Sequence, residues 1–366
     1  MAPDHSSIRR RFAALTAGVM VLILYGSLFP FQFFACTISP SALLATSGLP
    51  ADRGDLLANI LLYVPLGFFG LRALQRSGGS LLLITLAGAA LSFTLETAQF
   101  CDSGRVPSMA DVYANSGGTL LGALAALWMP AKFNFAALLL ACWTGSRLLP
   151  YVPSIHLHKY WTAIRPVMVE PKLEPLDVFH YFALWLAAAV VLEAIAANQR
   201  WVLPVLMAGV LAARIVIVDL ALAPAEILGA LLAAIAWIIV ISRLPSRAAV
   251  VAAIFVAFVI VQALEPFHFL AAPRHFGWVP FLGFMQGPRE SGSRVFLEKS
   301  FTYGALVWLL VRAGMSFSLA AICSTTLVFC LRVAQIYLPG RSAEITDALM
   351  VLMFAVTMKL MDLRSP

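Results

Sequence analysis

Apolar residues in this chain come in long runs, and short polar breaks divide them. A helix that crosses a bilayer needs about 20 predominantly apolar residues. On that basis twelve stretches qualify, at approximately 12–33, 56–74, 80–99, 110–129, 133–149, 177–197, 201–219, 224–242, 246–264, 297–312, 316–336 and 344–361. The pattern therefore predicts an all-α polytopic membrane protein with about twelve transmembrane helices.

Composition agrees. The chain is 61% hydrophobic and 12% charged, with a mean hydropathy of +0.90. A soluble domain has about a quarter of its residues charged. The formal charge of +7 does not signal nucleic-acid binding, because no dense basic patch with interleaved aromatics is present. Topology accounts for the excess instead. Alternating the spans places Arg9–Arg11, Arg72, Arg76, Lys132, Arg200, Arg243, Arg247, Arg312, Lys359 and Arg364 on the side of both termini. That side carries twelve basic residues against Asp4, Glu193 and Asp362, whereas the other carries thirteen basic and fifteen acidic residues. The positive-inside rule then predicts cytoplasmic termini. Arg9, Arg10 and Arg11 with the apolar run behind them read as an uncleaved first span, since no small-x-small cleavage site follows.

One polar stretch stands out against this background, Glu96–Gly122, which lies at the outer boundary in this topology. Glu96 and Gln99 are three apart, and Asp111, Asn115, Gly118 and Gly122 fall on one helical stripe. Arg105 occupies the turn between the two helices, and Asp55 and Asn59 are one turn apart at the outer start of the second span. A charge at the bilayer centre costs roughly 2.5–3.5 kcal/mol even on lenient scales, so such groups need partners or water. Asp55, Asn59, Glu96, Gln99, Arg105, Asp111 and Asn115 are accordingly the candidate ligand-binding residues, with Arg105 expected to pair with a carboxylate. Satisfied ion pairs that merely fix the helix turn are the alternative role. Gly118 and Gly122, small residues four apart, suit close helix packing.

The chain also repeats itself. A shift of 236 residues carries Phe93, Ala98, Gln99, Gly104, Arg105 and Asp111 onto Phe329, Ala334, Gln335, Gly340, Arg341 and Asp347, and Pro30-Phe31 onto Pro266-Phe267. A shift of 240 carries Tyr63, Leu66, Arg72 and Ala73 onto Tyr303, Leu306, Arg312 and Ala313. Pro150-Tyr151 lies midway, and Asp177, His180, Asp219 and Glu226 are weak landmarks that admit no unique alignment. The expected organisation is three parallel four-helix units, 1–133, a degenerate middle unit at 134–245, and 246–366. In the last, Arg332 stands for Glu96, Lys299 for Asn59 and Val351 for Asn115, so this unit, with candidates Arg332, Gln335, Arg341 and Asp347, is either a structural copy or one retuned towards an anionic group.

The pattern D-x3-N-x5-P-x-G at Asp55, Asn59, Pro65 and Gly67, followed by E-x-x-Q at Glu96 and Gln99 and by R-x5-D-x3-N-x2-G-x3-G from Arg105 to Gly122, resembles the VanZ-like family. The resemblance covers roughly 24–130 well and 260–363 more loosely. It implies a bacterial plasma-membrane protein of the cell envelope, associated with glycopeptide and lipoglycopeptide tolerance. It implies membrane lipids as surroundings and a lipid-linked envelope precursor or a lipoglycopeptide as partner. No catalytic residue follows from it.

The expected function is recognition of an amphiphile at the outer face, without catalysis. One alternative is a membrane enzyme that modifies a lipid or glycan headgroup, with Glu96 or Asp111 as acid/base and Arg105 holding a phosphate. Another is a lipid or small-molecule transporter. No cofactor, metal or nucleic acid is expected. His156, His158, Asp177 and His180 have no diagnostic ligand spacing. Tyr160 and Trp161, with Lys159, suit the headgroup zone. Of the five cysteines, Cys36 and Cys101 fall on one side of the membrane and are able to pair, although free buried thiols are the commoner state.

Overall fold

The computed structural model describes residues 5–36, 40–46, 53–74, 77–129, 134–169, 171–196, 202–286 and 289–361. Fifteen α-helices are present among them: α1 (His5–Leu28), α2 (Pro40–Ala45), α3 (Arg53–Ala73), α4 (Gly78–Gln99), α5 (Met109–Trp128), α6 (Phe135–Leu148), α7 (Leu157–Met168), α8 (Pro175–Ile195), α9 (Val202–Val216), α10 (Pro224–Ile239), α11 (Arg247–Leu264), α12 (Leu282–Gln286), α13 (Arg289–Arg312), α14 (Phe317–Ala334) and α15 (Thr346–Met361). The described residues contain isolated bridges but no strand. Seven helices, α1, α3, α4, α8, α10, α11 and α14, are long and apolar enough to cross a membrane. Each of the twelve predicted stretches is occupied by a helix. Helices α2, α7 and α12 are short additions in the connecting segments.

Local chemistry sets the helix ends. Ser77, Ser108, Asn134 and Ser316 cap α4, α5, α6 and α14 by accepting from backbone N–H groups of the first turn. Helices α8 and α10 open on Pro175 and Pro224, where a missing N–H costs nothing. The short 3₁₀ turn Gln335–Tyr337 ends α14.

The chain packs as two compact units. The first comprises 1–133, 287–293 and 359–366, and the second 134–286 and 294–358. The first unit is built on the seam between α3 and α5. A Cβ at Gly67 would stand 1.9 Å from the Thr119 carbonyl oxygen, and one at Gly122 the same distance from that of Val64. A Cβ at Gly118 would meet the Ile60 carbonyl at 2.4 Å. The two backbones touch because no side chain separates them, which is how helices gain contact where lipid removes the hydrophobic drive. In the second unit α8 is the central helix. Ala183 through Leu192 are all buried, and such all-round burial requires an all-round apolar helix. Trp185 meets Trp143 edge to face at 4.5 Å.

Several contacts recur along the chain. Cis peptides precede Pro30, Pro150 and Pro266, and the next residues, Phe31, Tyr151 and Phe267, have φ of 61°, 62° and 61°. In each case that residue's N–H donates to the carbonyl two before the proline, on Leu28, Leu148 or Leu264. The carbonyl three before the proline also receives a side chain in each case. Gln99 Nε2 donates to Ser27 O at 3.0 Å, Arg214 Nη1 to Arg147 O at 3.1 Å, and Gln335 Nε2 to Ala263 O at 2.7 Å. Arg72 stacks over Phe68 at 4.9 Å, and Arg312 over Trp308 at 5.6 Å.

Candidate functional site

In the first unit the hydrogen bonds divide the candidate residues into sets. Glu96, 4% exposed, accepts the Ser108 N–H through Oε2 at 2.9 Å. It thereby holds the start of α5, where Asp111 stands in the first turn. One turn back on α4, Ser92 Oγ accepts from Asn115 Nδ2 at 2.9 Å. Glu96 and Asn115 are thus both engaged across α4 and α5. Gln99 and Arg105 form the other set and turn to the end of α1. Gln99 reaches Ser27, while Arg105 donates through Nε to Phe29 O at 2.6 Å and through an Nη to Gly26 O. Asp55 and Asn59 stand at the start of α3, both half-buried.

The loops beside these residues are fastened by a disulfide. Cys36 and Cys101, left open by their positions in the sequence, are joined, with Cα atoms 5.6 Å apart. In the second unit two cations fasten loops. Lys159 Nζ donates to the carbonyls of Leu220, Ile215 and Arg214 at 2.7, 3.1 and 3.4 Å. Burial lowers the pKa of this ammonium, with Asp219 opposing and Arg214 reinforcing the shift. Arg274 Nη2 donates to the carbonyls of Gln335, Leu338 and Arg341.

Two charged clusters lie in the second unit. In the first, Arg147 and Arg214 both bind Glu226, which is wholly buried. Arg147 also lies over the Tyr181 ring at 4.9 Å, and Arg214 donates to Ala221 O at 2.8 Å. Glu226 stands out in the sequence as a landmark, whereas neither arginine does. Arg214 and Glu226 are twelve apart, as are Gln99 and Asp111, and Gln335 and Asp347. That shared spacing was the signal available.

In the second cluster Asp347 binds Lys299 Nζ at 2.8 Å through one oxygen and Arg332 through the other. Arg332 further donates to Gln335 Oε1 at 2.6 Å and to Tyr303 Oη at 2.8 Å. Arg341 donates to Glu265, from Nε to its carbonyl at 2.7 Å and from Nη2 to Oε2 at 3.0 Å. The four C-terminal candidates, Arg332, Gln335, Arg341 and Asp347, are therefore linked or adjacent, and Lys299 and Tyr303 join them. A cavity of about 320 Å³ opens here, lined by Lys299, Tyr303, Arg332, Gln335 and Arg341 together with Glu298 and an apolar wall.

The helices and their apolar composition define an all-α, multi-pass membrane protein. Its N-terminal part is VanZ-like: residues 6–130 match the family model described as VanZ/LLP1. No curated protein and no solved structure matched the chain.

Proposed function

We propose that this protein recognises an amphiphile at the outer face of the bacterial plasma membrane, either a lipid-linked envelope precursor or a lipidated antibiotic such as a lipoglycopeptide. The observation that carries the reading is the cavity beside Lys299 and Arg332, which combines charged groups with Val259, Val295, Val328 and Leu331. A cavity lined by both charged and apolar side chains fits a molecule that has both characters. The VanZ/LLP1 match supports an envelope role for the N-terminal part. The hydrogen bonds that Glu96 accepts from Ser108 N–H and that Arg105 donates to two carbonyls support positioning roles for these residues over acid/base chemistry.

Both termini are proposed to be cytoplasmic. The Cys36–Cys101 bridge supports this, because disulfides persist in oxidising compartments and these loops lie on the side opposite the termini in the proposed twelve-span alternation. The chain is further proposed to consist of three related units, 1–133, 134–245 and 246–366. Support comes from the recurring proline turns and from the Gln99, Arg214 and Gln335 hydrogen bonds to equivalent carbonyls.

The test uses purified full-length protein. A ligand that binds only the folded state raises the unfolding temperature, increasingly so as its free concentration exceeds its Kd. Stabilisation by a lipid-linked precursor or a lipoglycopeptide, with no altered lipid species in extracts and no lipid movement in proteoliposomes, is the expected result. A modified lipid would instead establish an enzyme, and lipid movement a transporter.

A further inference from the structure

The cluster at Asp347 has unequal charges. One carboxylate, 2% exposed, serves both Lys299 and Arg332, so the trio keeps one positive charge in excess. Neither cation is sealed away: the Lys299 side chain is 26% exposed and that of Arg332 15%. Both line the cavity, and Arg341 lines it as well, with its Nη2 held by Glu265. Buried charge is ordinarily balanced by a partner, because desolvation leaves an unpaired ion several kcal/mol worse off than in water. The cavity is where such a partner can stand.

We infer that this cavity binds the phosphate of an anionic amphiphile, with Lys299 and Arg332 contacting the phosphate oxygens; the inference rests on the amphiphile reading above. A lysine supplies a compact point charge and an arginine a planar fork, and together these match the oxygens of a phosphate. Asp347 holds both cations in place and lowers their net charge from two to one. That value suits a phosphodiester, which carries a single negative charge. The aliphatic wall of Val259, Val295 and Leu331 then receives the start of the ligand's apolar part. Glu298, on the helical turn of Lys299 and also lining the cavity, opposes any anion beside it, so the phosphate is placed on the Lys299 and Arg332 side of the cavity.

The decisive variant is Lys299→Met. It removes the excess charge yet leaves Arg332 and Asp347 as a balanced pair, so the protein is expected to fold. Arg214→Gln is the control, since it also deletes one cation but at the Glu226 cluster. Binding to the full-length protein in detergent is measured by thermal shift with three probes: short-chain phosphatidylglycerol, short-chain phosphatidylcholine and inorganic phosphate. The expected result is tightest binding of phosphatidylglycerol, weakened at least tenfold by Lys299→Met, unchanged by Arg214→Gln, and falling as salt rises. Undiminished phosphatidylglycerol binding in Lys299→Met overturns this inference. If that variant still binds amphiphiles, the broader function stands. Equal binding of phosphatidylcholine removes the role of net charge and also overturns it. Inorganic phosphate binding as tightly as phosphatidylglycerol assigns the site to free phosphate and overturns the lipid part. If neither these lipids nor a lipid-linked precursor or lipoglycopeptide stabilises the wild type, the amphiphile reading itself fails.

Discussion

The cluster at Glu226 and the cluster at Asp347 carry the same charges, two cations on one carboxylate, in opposite settings. Around Glu226 the excess is absorbed by fixed protein groups: the Tyr181 ring faces Arg147, and carbonyls of Arg147 and Ala221 accept from Arg214. Around Asp347, Arg332 also donates to Gln335 and Tyr303 and Lys299 lies over the Phe284 ring at 5.3 Å, but both cations in addition line a cavity. A buried charge count therefore does not by itself mark a ligand site. What distinguishes the two is whether the cations also border open space.

The largest effect is expected from Glu226→Gln. It leaves two arginines buried beside a neutral amide, and removing one partner of a buried ionic group costs about 3–5 kcal/mol. Thermal unfolding in detergent should show a large loss of stability or a failure to accumulate folded protein. A mild effect would mean that water reaches this cluster and the contrast is false. Asp347→Asn should cost less, about 1.5–3 kcal/mol for the lost charged hydrogen bonds, because Lys299 and Arg332 gain access to the cavity. The same melt checks it, and a loss equal to that of Glu226→Gln would erase the distinction. Arg214→Gln sharpens the comparison from the other side. Gln99 and Gln335 already make the corresponding hydrogen bond, and Arg147 remains to neutralise Glu226. The expected loss is about 0.5–1.5 kcal/mol. A fall as large as that of Glu226→Gln would show that Glu226 needs both cations.

Hydropathy made the helices legible because an apolar stretch in a bilayer must satisfy its backbone hydrogen bonds within itself, and seven of the described helices are long and apolar enough for that setting. The limits of that signal are visible in α13, which begins at Arg289, ahead of the apolar run at 297, since polar first turns are helical without being apolar. Helix α7 escaped for a related reason: twelve residues of mixed character around Trp161 and Arg165 resemble a loop when only span length is scored. Among the candidate residues, Glu96 and Gln335 were legible as polar groups in apolar surroundings. Arg147 and Arg214 were not, because an arginine near the end of a span reads equally well as an interfacial anchor. Only the shared spacing of twelve between residues 214 and 226 hinted otherwise.

The loop fastenings have a consequence for how substitutions register in this chain. Lys159 and Arg274 hold their loops through main-chain carbonyls, as Gln99, Arg214 and Gln335 hold the turns before the prolines. A carbonyl is supplied by every residue type, so the accepting positions are free to change letter after letter while the bond persists. Only the donor is exposed to selection through its side chain. A saturation scan of Lys159 and Arg274 together with 214–220 and 335–341 would therefore find both donors intolerant and Ile215 tolerant, with Arg214, Gln335 and Arg341 constrained only through the bonds of their own side chains. Geometry of this sort outlasts the text that encodes it.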